Sequence, residues 1–173
     1  MTAGTRPPGI SAILEEVARD VPGWTPHDQL LALNALALGT AHLGADILEL
    51  GSWCGRSAVA LGLAARASAA AVHCLDLFPE RDDWKQNADG SFSMRVSLPE
   101  GTIGAYEAQT VWKEPFERDI APLYKRHQGT LALFRETIKR YGLADTVTGH
   151  RGTSRLLETT FPSAQRYRLA FVD

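Results

Sequence analysis

The stretch that decides the fold is Asp46-Ile-Leu-Glu-Leu-Gly-Ser-Trp-Cys-Gly-Arg-Ser57. It begins with a short apolar run that carries one carboxylate, Glu49, and the run stops at Gly51. A second glycine, Gly55, follows, and from Arg56 onward the sequence is rich in alanine and leucine, which favour helix. This order predicts a strand, a glycine turn and a helix. Such a turn brings a ligand against the backbone N–H groups of a helix N-terminus.

The spacing of the glycines separates several kinds of ligand site. A dinucleotide fingerprint, G-x-G-x-x-G, would have its second glycine where Trp53 stands. A phosphate-binding loop has a longer gap between its glycines and a lysine where Arg56 stands. What remains is Glu-x-Gly-x-x-x-Gly-x-Ser, which suits a ligand with a cationic sulfonium, a ribose and an amino-acid end. An ordinary turn, in which glycine serves only packing, is the alternative.

A second strand is predicted over residues 72–78, with Asp76 near its carboxyl end. In a doubly wound sheet, ligands bind outside the carboxyl ends of the strands. An acid there can accept hydrogen bonds from both ribose hydroxyls, although it can also simply cap a turn. His73, in the same strand, is predicted to be a core histidine rather than a ligand.

Length and composition indicate one domain. A chain of 173 residues with 45% hydrophobic and 22% charged residues is typical of a globular protein with one core. The net charge of −2 disfavours a nucleic-acid partner, and no apolar run is long enough for a membrane span. The first residues show no signal peptide, and Cys54 and Cys74 are expected to be buried thiols. A cytoplasmic protein is therefore expected.

The N-terminal segment, residues 1–45, is predicted to be helical. A first amphipathic helix places Ile10, Ile13, Leu14 and Val17 on one face. Thr25 as N-cap and Pro26 as first helical residue then open a second helix. Because that helix is apolar nearly all round, it is expected to lie buried against the sheet.

Residues 79–128 interrupt the alternation of strands and helices. The segment contains several prolines and glycines, and its periodicity is weak. Its aromatic content argues against a disordered linker, so we expect a partly ordered lid over the substrate or an oligomer contact. Its aromatic residues are Trp84, Phe92, Tyr106, Trp112, Phe116 and Tyr124. A helix ending at Gly142, a short strand at Val147 and Thr148, a helix near 154–161 and a last strand ending at Asp173 are predicted to follow.

With four strands and their acidic ends in place, the sequence resembles the class I S-adenosylmethionine-dependent methyltransferases. Among these it is similar to the small-molecule O-methyltransferases related to macrocin O-methyltransferase and the cephalosporin-hydroxylase-like group. The resemblance rests on the glycine turn, Asp76 and the passage from Phe134 to Asp145. It covers residues 46–78 and 129–173, and the insert 79–128 has no counterpart.

The resemblance implies an α/β fold, a Rossmann-like doubly wound sheet with strand order 3-2-1-4-5-7-6. Since only the first four strands have counterparts here, we expect a single, incomplete methyltransferase domain over residues 1–173, truncated after the fourth strand. The missing strands would leave an open apolar edge on a sheet of a kind that is normally buried.

The resemblance also implies the site residues and S-adenosylmethionine as cofactor. The loop at the methionine end of the cofactor corresponds to Glu49, Gly51, Ser52, Gly55 and Ser57. Asp76 corresponds to the ribose acid, Leu77 and Phe78 flank the adenine, and Gly152, Thr153 and Ser154 lie near the adenine edge. Asp173 corresponds to an acid that binds a divalent metal in many relatives, which makes it a candidate catalytic residue and Mg²⁺ ligand. His150 and His127 are candidate bases.

The activity implied is transfer of the sulfonium methyl group to a hydroxyl of a small molecule, with the sugar of a natural product favoured over a polyketide or a catechol. Homo-oligomer formation is compatible with the insert. Two other functions stay open on the sequence alone. One is a nucleotide-dependent oxidoreductase of Rossmann type, against which Trp53 argues, and the other is a non-catalytic, methyltransferase-like binding subunit.

Overall fold

The computed structural model describes residues 9–99, 101–105, 110–159, 161 and 165–173. The helices and strands in chain order are α1 (Ile10–Asp20), α2 (His27–Gly39), β1 (Asp46–Leu50), α3 (Arg56–Ala67), β2 (Val72–Asp76), β3 (Trp84–Gln86), β4 (Phe92–Leu98), β5 (Gly101–Ala105), α4 (Lys113–Pro115), α5 (Thr130–Arg140), β6 (Val147–Arg151), α6 (Leu156–Thr159) and β7 (Tyr167–Val172). Short 3₁₀ helices span Ala41–Leu43, Arg81–Asp83 and Ala121–Lys125, and a π-helical turn spans Phe116–Ile120.

The main sheet is parallel, and its strands lie in the order β6-β2-β1-β7. In chain order these are the third, second, first and fourth strands of that sheet, as the resemblance implies for this part of the fold. The predicted α/β fold of the Rossmann-like methyltransferase type is therefore confirmed. The order of the strands reverses between β1 and β7, and a reversal of this kind opens a crevice at the carboxyl ends of the strands.

One face of the main sheet packs against α3 and α5 to form the core. Ile47, Cys74 and Gly149 belong to this face, and they alternate with residues that point to the other side. Gly149 has no side chain because the ring of Phe134 on α5 occupies that space: a Cβ there would lie 2.8 Å from the ring. The sheet and these two helices thus form one continuous core, which fixes the strand ends relative to each other.

The structure of α2 differs from the sequence-based prediction in two respects. Its N-cap is Pro26 rather than Thr25, and no side chain caps it. It packs on α3, where the Asn34 side chain donates a hydrogen bond to the Ala60 carbonyl at 2.8 Å, so it lies against a helix and not against the sheet. Its outer face is exposed at Leu36 and Leu38, and the prediction that it is mostly buried is wrong to that extent.

The insert is more regular than its sequence suggested. β3, β4 and β5 form an antiparallel sheet in the order β3-β4-β5, with Trp84 opposite Met94 and Val96 opposite Ile103. Phe116 stacks on Phe92 with ring centroids 3.7 Å apart. The expectation of an aperiodic segment is therefore wrong, although the expectation of order is correct. Of its aromatic residues, Tyr106 lies outside the described residues.

Contacts at both ends of the insert attach it to the edge of the main sheet. Arg151, the last residue of β6, forms ion pairs with Glu80 at 3.0 Å and with Asp83 at 3.4 Å. Glu80 also pairs with Gly129 in an isolated β-bridge, so the two ends of the insert meet. The antiparallel sheet is consequently held beside the carboxyl ends of the parallel strands. Within the described residues, no helix has both the length and the apolar character of a membrane span.

The packing of α3 on the core gives a first prediction. A Cβ at Gly62 would lie 2.6 Å from a methyl group of Val147 and 2.9 Å from one of Leu143. Although alanine favours helix, Gly62→Ala should lower the free energy of unfolding by about 1–2 kcal/mol, because overpacking a core costs more than the gain in propensity. Urea unfolding measures this. Gly39→Ala, at the end of α2 where a Cβ meets nothing within 4 Å, is the control. Equal stability of the two variants would contradict the packing described here.

Candidate functional site

A cavity of about 600 Å³ lies at the carboxyl ends of the parallel strands. One side is formed by residues that follow the strands: Gly51 after β1, Asp76 and Leu77 at the end of β2, Gly152–Ser154 after β6, and Asp173 after β7. The rest of the lining includes Trp24, Trp53 of the glycine turn and apolar residues of the insert. A cavity of this size is typical of a small-molecule site.

Gly51 begins the turn, and its position demands glycine for two reasons. Its φ of +89° is in the left-handed region that residues with a side chain rarely adopt. A Cβ there would also lie 3.0 Å from the backbone oxygen of Asp173. Hydrogen bonds from Gly51 N to the Leu75 carbonyl (2.8 Å) and from Asp173 N to the Leu50 carbonyl (3.0 Å) continue the sheet past its last pairs. The first and fourth strand ends are therefore in direct contact.

The carboxylate of Asp76 connects the two turns beside the cavity. Its Oδ2 accepts a hydrogen bond from the backbone N–H of Trp53 at 3.0 Å, and its Oδ1 accepts one from that of Phe78 at 2.6 Å. Both donors are non-glycine residues with positive φ, +40° for Trp53 and +42° for Phe78. Burial raises the pKa of Asp76, and the two backbone donors oppose that rise. A carboxylate has about four lone-pair positions, so further donors, such as ribose hydroxyls, can still reach it.

Glu49 lies beneath the turn and does not line the cavity. Its side chain is fully buried, and its Oε2 accepts a hydrogen bond from the Ser52 hydroxyl at 2.6 Å. Among the described residues, its Oε1 accepts no hydrogen bond. Burial raises the pKa of Glu49 above its ordinary value of 4.5, and the hydroxyl of Ser52 opposes this only in part. Glu49 thus stabilises the glycine turn through its hydrogen bond with Ser52.

Gly55 and Ser57, two other residues of the predicted loop, also lie away from the cavity. Gly55 has φ +89° and precedes α3, and a Cβ there would lie 3.0 Å from the ring of Phe134. Ser57 is buried in the first turn of α3. Gly55 starts the helix and lets it pack on α5, whereas the Ser57 hydroxyl helps to oppose the rise in the pKa of Glu49. Of the residues predicted for the loop, Gly51 is therefore the one that lines the cavity.

The predicted adenine region is brought together only in part. Gly152, Thr153, Ser154 and Leu77 all line the cavity, and Gly152 N donates to the Asp76 carbonyl at 2.9 Å. Phe78 does not line it. Its ring is fully buried and packs edge-on against Phe134 at 5.2 Å, because its positive φ turns the side chain into the core.

Asp173 lines the cavity, but the candidate histidines do not. His150 belongs to β6 rather than to a loop, and it lies beside His73 and Phe161. Burial lowers the pKa of His150. His127 pairs with Glu136 at 2.9 Å in a separate cleft. Asp173 is therefore the predicted catalytic residue that the fold places at the site.

Comparison with known proteins identifies the family. A family model described as "Methyltransferase domain" matches residues 48–173, most of the chain. The chain belongs to this methyltransferase-domain family. No curated protein matches the sequence.

Two solved structures are similar to this methyltransferase-domain chain. Cofactor-bound Rv0187 from MTB is 16% identical with a TM-score of 0.47, and the match covers 94% of this chain and 50% of that one. An O-methyltransferase from Bacillus cereus in complex with SAH is 18% identical with a TM-score of 0.47, and the match covers 98% of this chain and 56% of that one. The chain thus spans about half the length of these two proteins.

Several residues that line the cavity of this methyltransferase-domain chain were not predicted from the sequence. They are Trp24, Leu50, Leu75, Pro79, Met94, Ile103 and Ile120. For Met94 a signal existed, because apolar and polar residues alternate from Phe92 to Leu98 as in a half-buried strand. For Trp24 no local signal existed, since its position depends on contacts distant in sequence.

The buried carboxyl of Glu49 gives a second prediction. Because its pKa is raised in the folded state, the native protein holds a proton that the unfolded chain has released above pH 4.5. The free energy of unfolding should consequently fall as the pH rises from 4.5 toward the folded-state pKa. Glu49→Gln removes this contribution. Urea unfolding at pH 4.5 and pH 7.5 should show a smaller decrease for the variant than for the wild type, and an equal decrease would show that Glu49 is not the group responsible.

Proposed function

We propose that the protein is an S-adenosylmethionine-dependent O-methyltransferase that acts on a hydroxyl of a small molecule. The observation that carries the proposal is the cavity at the strand ends, with the Asp76 carboxylate held between two turns, in a chain of the methyltransferase-domain family. The crevice beside the reversal of strand order is where folds of this kind bind nucleoside-containing cofactors.

In the proposed complex, the cofactor lies along the row of strand ends. Gly51 leaves room for the methionine part, because its backbone faces the cavity without a side chain. Asp76 accepts hydrogen bonds from the ribose hydroxyls, and Leu77 with Thr153 and Ser154 borders the adenine. Glu49, Ser52, Gly55 and Ser57 act indirectly by holding the turn. A phosphate would be poorly placed here, since among the described residues the two ionisable side chains that line the cavity, Asp76 and Asp173, are carboxylates.

The proposed reaction is an in-line displacement. The acceptor oxygen forms a bond to the methyl carbon while the bond from that carbon to the sulfonium breaks, which leaves S-adenosylhomocysteine and a methyl ether. Since the sulfonium is already a good leaving group, the protein contributes mainly proximity and alignment. The hydroxyl proton must leave, and Asp173 is the acceptor we propose, because it lines the cavity at the end of β7. His150 is the weaker candidate because it does not line the cavity.

The resemblance also implies that a Mg²⁺ ion could assist the methyl transfer. Among the described residues, no group of three His, Cys, Asp or Glu side chains could hold a metal ion. Mg²⁺ prefers octahedral oxygen ligation, which one carboxylate at Asp173 does not supply, and Asp76 is already hydrogen-bonded to two backbone N–H groups. The described residues therefore do not fit the ion, and the steps above use none.

For the acceptor, the resemblance to the macrocin O-methyltransferase group favours the sugar or the polyketide part of a natural product. The insert is proposed as a lid, because Trp84, Met94, Ile103 and Ile120 reach the same cavity as the strand ends. Trp112, the other tryptophan of the insert, is exposed and does not line the cavity, so we propose that Trp84 is the one that contacts the substrate.

A third prediction tests the cofactor assignment. Calorimetry should show that S-adenosylhomocysteine binds in the micromolar range. Asp76→Ala should weaken this binding by about 1–3 kcal/mol, the range for losing hydrogen bonds to a charged group. Asp46→Ala is a matched control, since Asp46 also accepts a backbone N–H, that of Ala71 at 2.9 Å, but at the opposite end of β1. If both variants bind as tightly as the wild type, Asp76 is not part of the site.

A fourth prediction concerns metal removal. Because the proposed cofactor contacts come from backbone, hydroxyl and carboxylate groups, S-adenosylhomocysteine affinity should be unchanged in excess chelator. Calorimetry with and without EDTA measures this. A loss of affinity that added Mg²⁺ restores would contradict the proposed contacts and support the magnesium site that the resemblance implies. Methyl transfer measured under the same two conditions would show separately whether the acceptor step needs the ion.

A further inference from the structure

The described residues of the insert that line the cavity are all apolar: Pro79, Trp84, Met94, Ile103 and Ile120. Because side chains alternate along a strand, the antiparallel register places Trp84, Met94, Val96 and Ile103 on one face of this sheet. Trp84, Met94 and Ile103 line the cavity, and Val96, on the same face, is fully buried. The indole N–H of Trp84 donates to the Tyr124 hydroxyl at 2.9 Å, so it is already engaged. This wall offers van der Waals surface and few hydrogen bonds.

A second apolar part of the cavity lining is an aromatic stack of Trp24 and Trp53, held in place by Arg56. The rings of Trp24 and Trp53 lie 4.4 Å apart and almost parallel, at 11°. Arg56 donates hydrogen bonds to the carbonyl of Val21 at 2.7 Å and to that of Thr25 at 3.1 Å, one on each side of Trp24. Trp24 is nonetheless 70% exposed. An aromatic ring held at the rim of a cavity, with little burial of its own, is suited to bind a ligand.

The charges and hydroxyls of the cavity are confined to the strand ends. Asp76 and Asp173 carry the only ionisable side chains among the described residues that line it, and Thr153 and Ser154 carry the hydroxyls. An anionic acceptor would therefore meet two carboxylates and, among the described lining residues, no cationic side chain. A sugar acceptor would lose water from several hydroxyls against the apolar walls without gaining partners, which is costly for each hydroxyl.

We propose that the acceptor is an uncharged apolar ring system, bound between the Trp24–Trp53 stack and the antiparallel sheet of the insert, with its hydroxyl directed to the strand ends. The proposal rests on the proposed methyltransferase function and names its substrate class. It favours an aromatic or polyketide-type acceptor over the sugar that the resemblance favours. Trp24, Met94 and Ile103 are its specificity-determining residues.

Binding of three probes at pH 7 tests the substrate class: 2-naphthol, 2-naphthoate and methyl β-glucoside. Calorimetry with and without saturating S-adenosylhomocysteine should show 2-naphthol binding at least about tenfold more tightly than either other probe, the ratio expected from about one unpaired polar group. Equal or tighter binding of naphthoate or of the glucoside overturns the proposal, as does no binding of naphthol. Binding of S-adenosylhomocysteine alone is titrated separately. If S-adenosylhomocysteine does not bind, the proposed function is contradicted. The order of the three probe affinities tests only the proposed substrate class.

Two pairs of variants test the walls. Trp24→Ala should weaken 2-naphthol binding about fivefold or more while S-adenosylhomocysteine affinity changes less than about twofold. Trp112→Ala, at a similarly exposed tryptophan that does not line the cavity, should change neither. Ile103→Asn should weaken naphthol binding, and Thr102→Asn, at the neighbouring exposed position, should not. If Trp24→Ala weakens both ligands equally, or if the controls behave like the test variants, the assignment of these walls is overturned.

Discussion

The carboxylate of Asp76 is the group on which the site depends. It accepts backbone N–H groups from the turn after β1 and from the turn after β2, through Trp53 and Phe78. Both residues have positive φ, a conformation that costs about 1–3 kcal/mol for a residue with a side chain. Hydrogen bonds to a charged acceptor are strong enough to offset much of that cost. One half-buried acid therefore holds two strained turns in the positions that border the cavity.

Two different parts of the chain line the cavity. The parallel sheet supplies its strand ends, where backbone groups, hydroxyls and the carboxylates of Asp76 and Asp173 lie. The insert and the segment around Trp24 supply apolar surface, and Arg151 and Arg56 hold these two parts against the sheet through ion pairs and hydrogen bonds. This division matches a reaction in which a common cofactor meets a variable acceptor, because the acceptor side can change without disturbing the strand ends.

The sequence predicted the glycine turn, the place of Asp76 at the end of β2 and the order of the main strands because each follows from a local pattern or from a pattern combined with a known topology. The sequence did not predict features whose positions depend on contacts between residues distant in sequence. The insert's strand at Phe92–Leu98 has a visible alternation, but its pairing with β3 and β5 depends on the tertiary structure. Trp24 reaches the cavity only because Arg56 holds the backbone around it. His150 falls within β6 because that strand continues to Arg151, which no local signal indicated.

Hydrogen exchange measured with and without S-adenosylhomocysteine tests the central claim most directly, that the strand ends around Asp76 form the cofactor site. The account predicts slower exchange in peptides that contain Gly51–Trp53, Leu77–Phe78 and Gly152–Ser154, because the ligand covers these turns and stabilises the hydrogen bonds to Asp76. Peptides from α1, which packs on α2 and α3 and contributes no residue to the cavity lining, should exchange at the same rate in both states. Unchanged exchange in all three turns at saturating ligand, or protection confined to other parts of the chain, would contradict it.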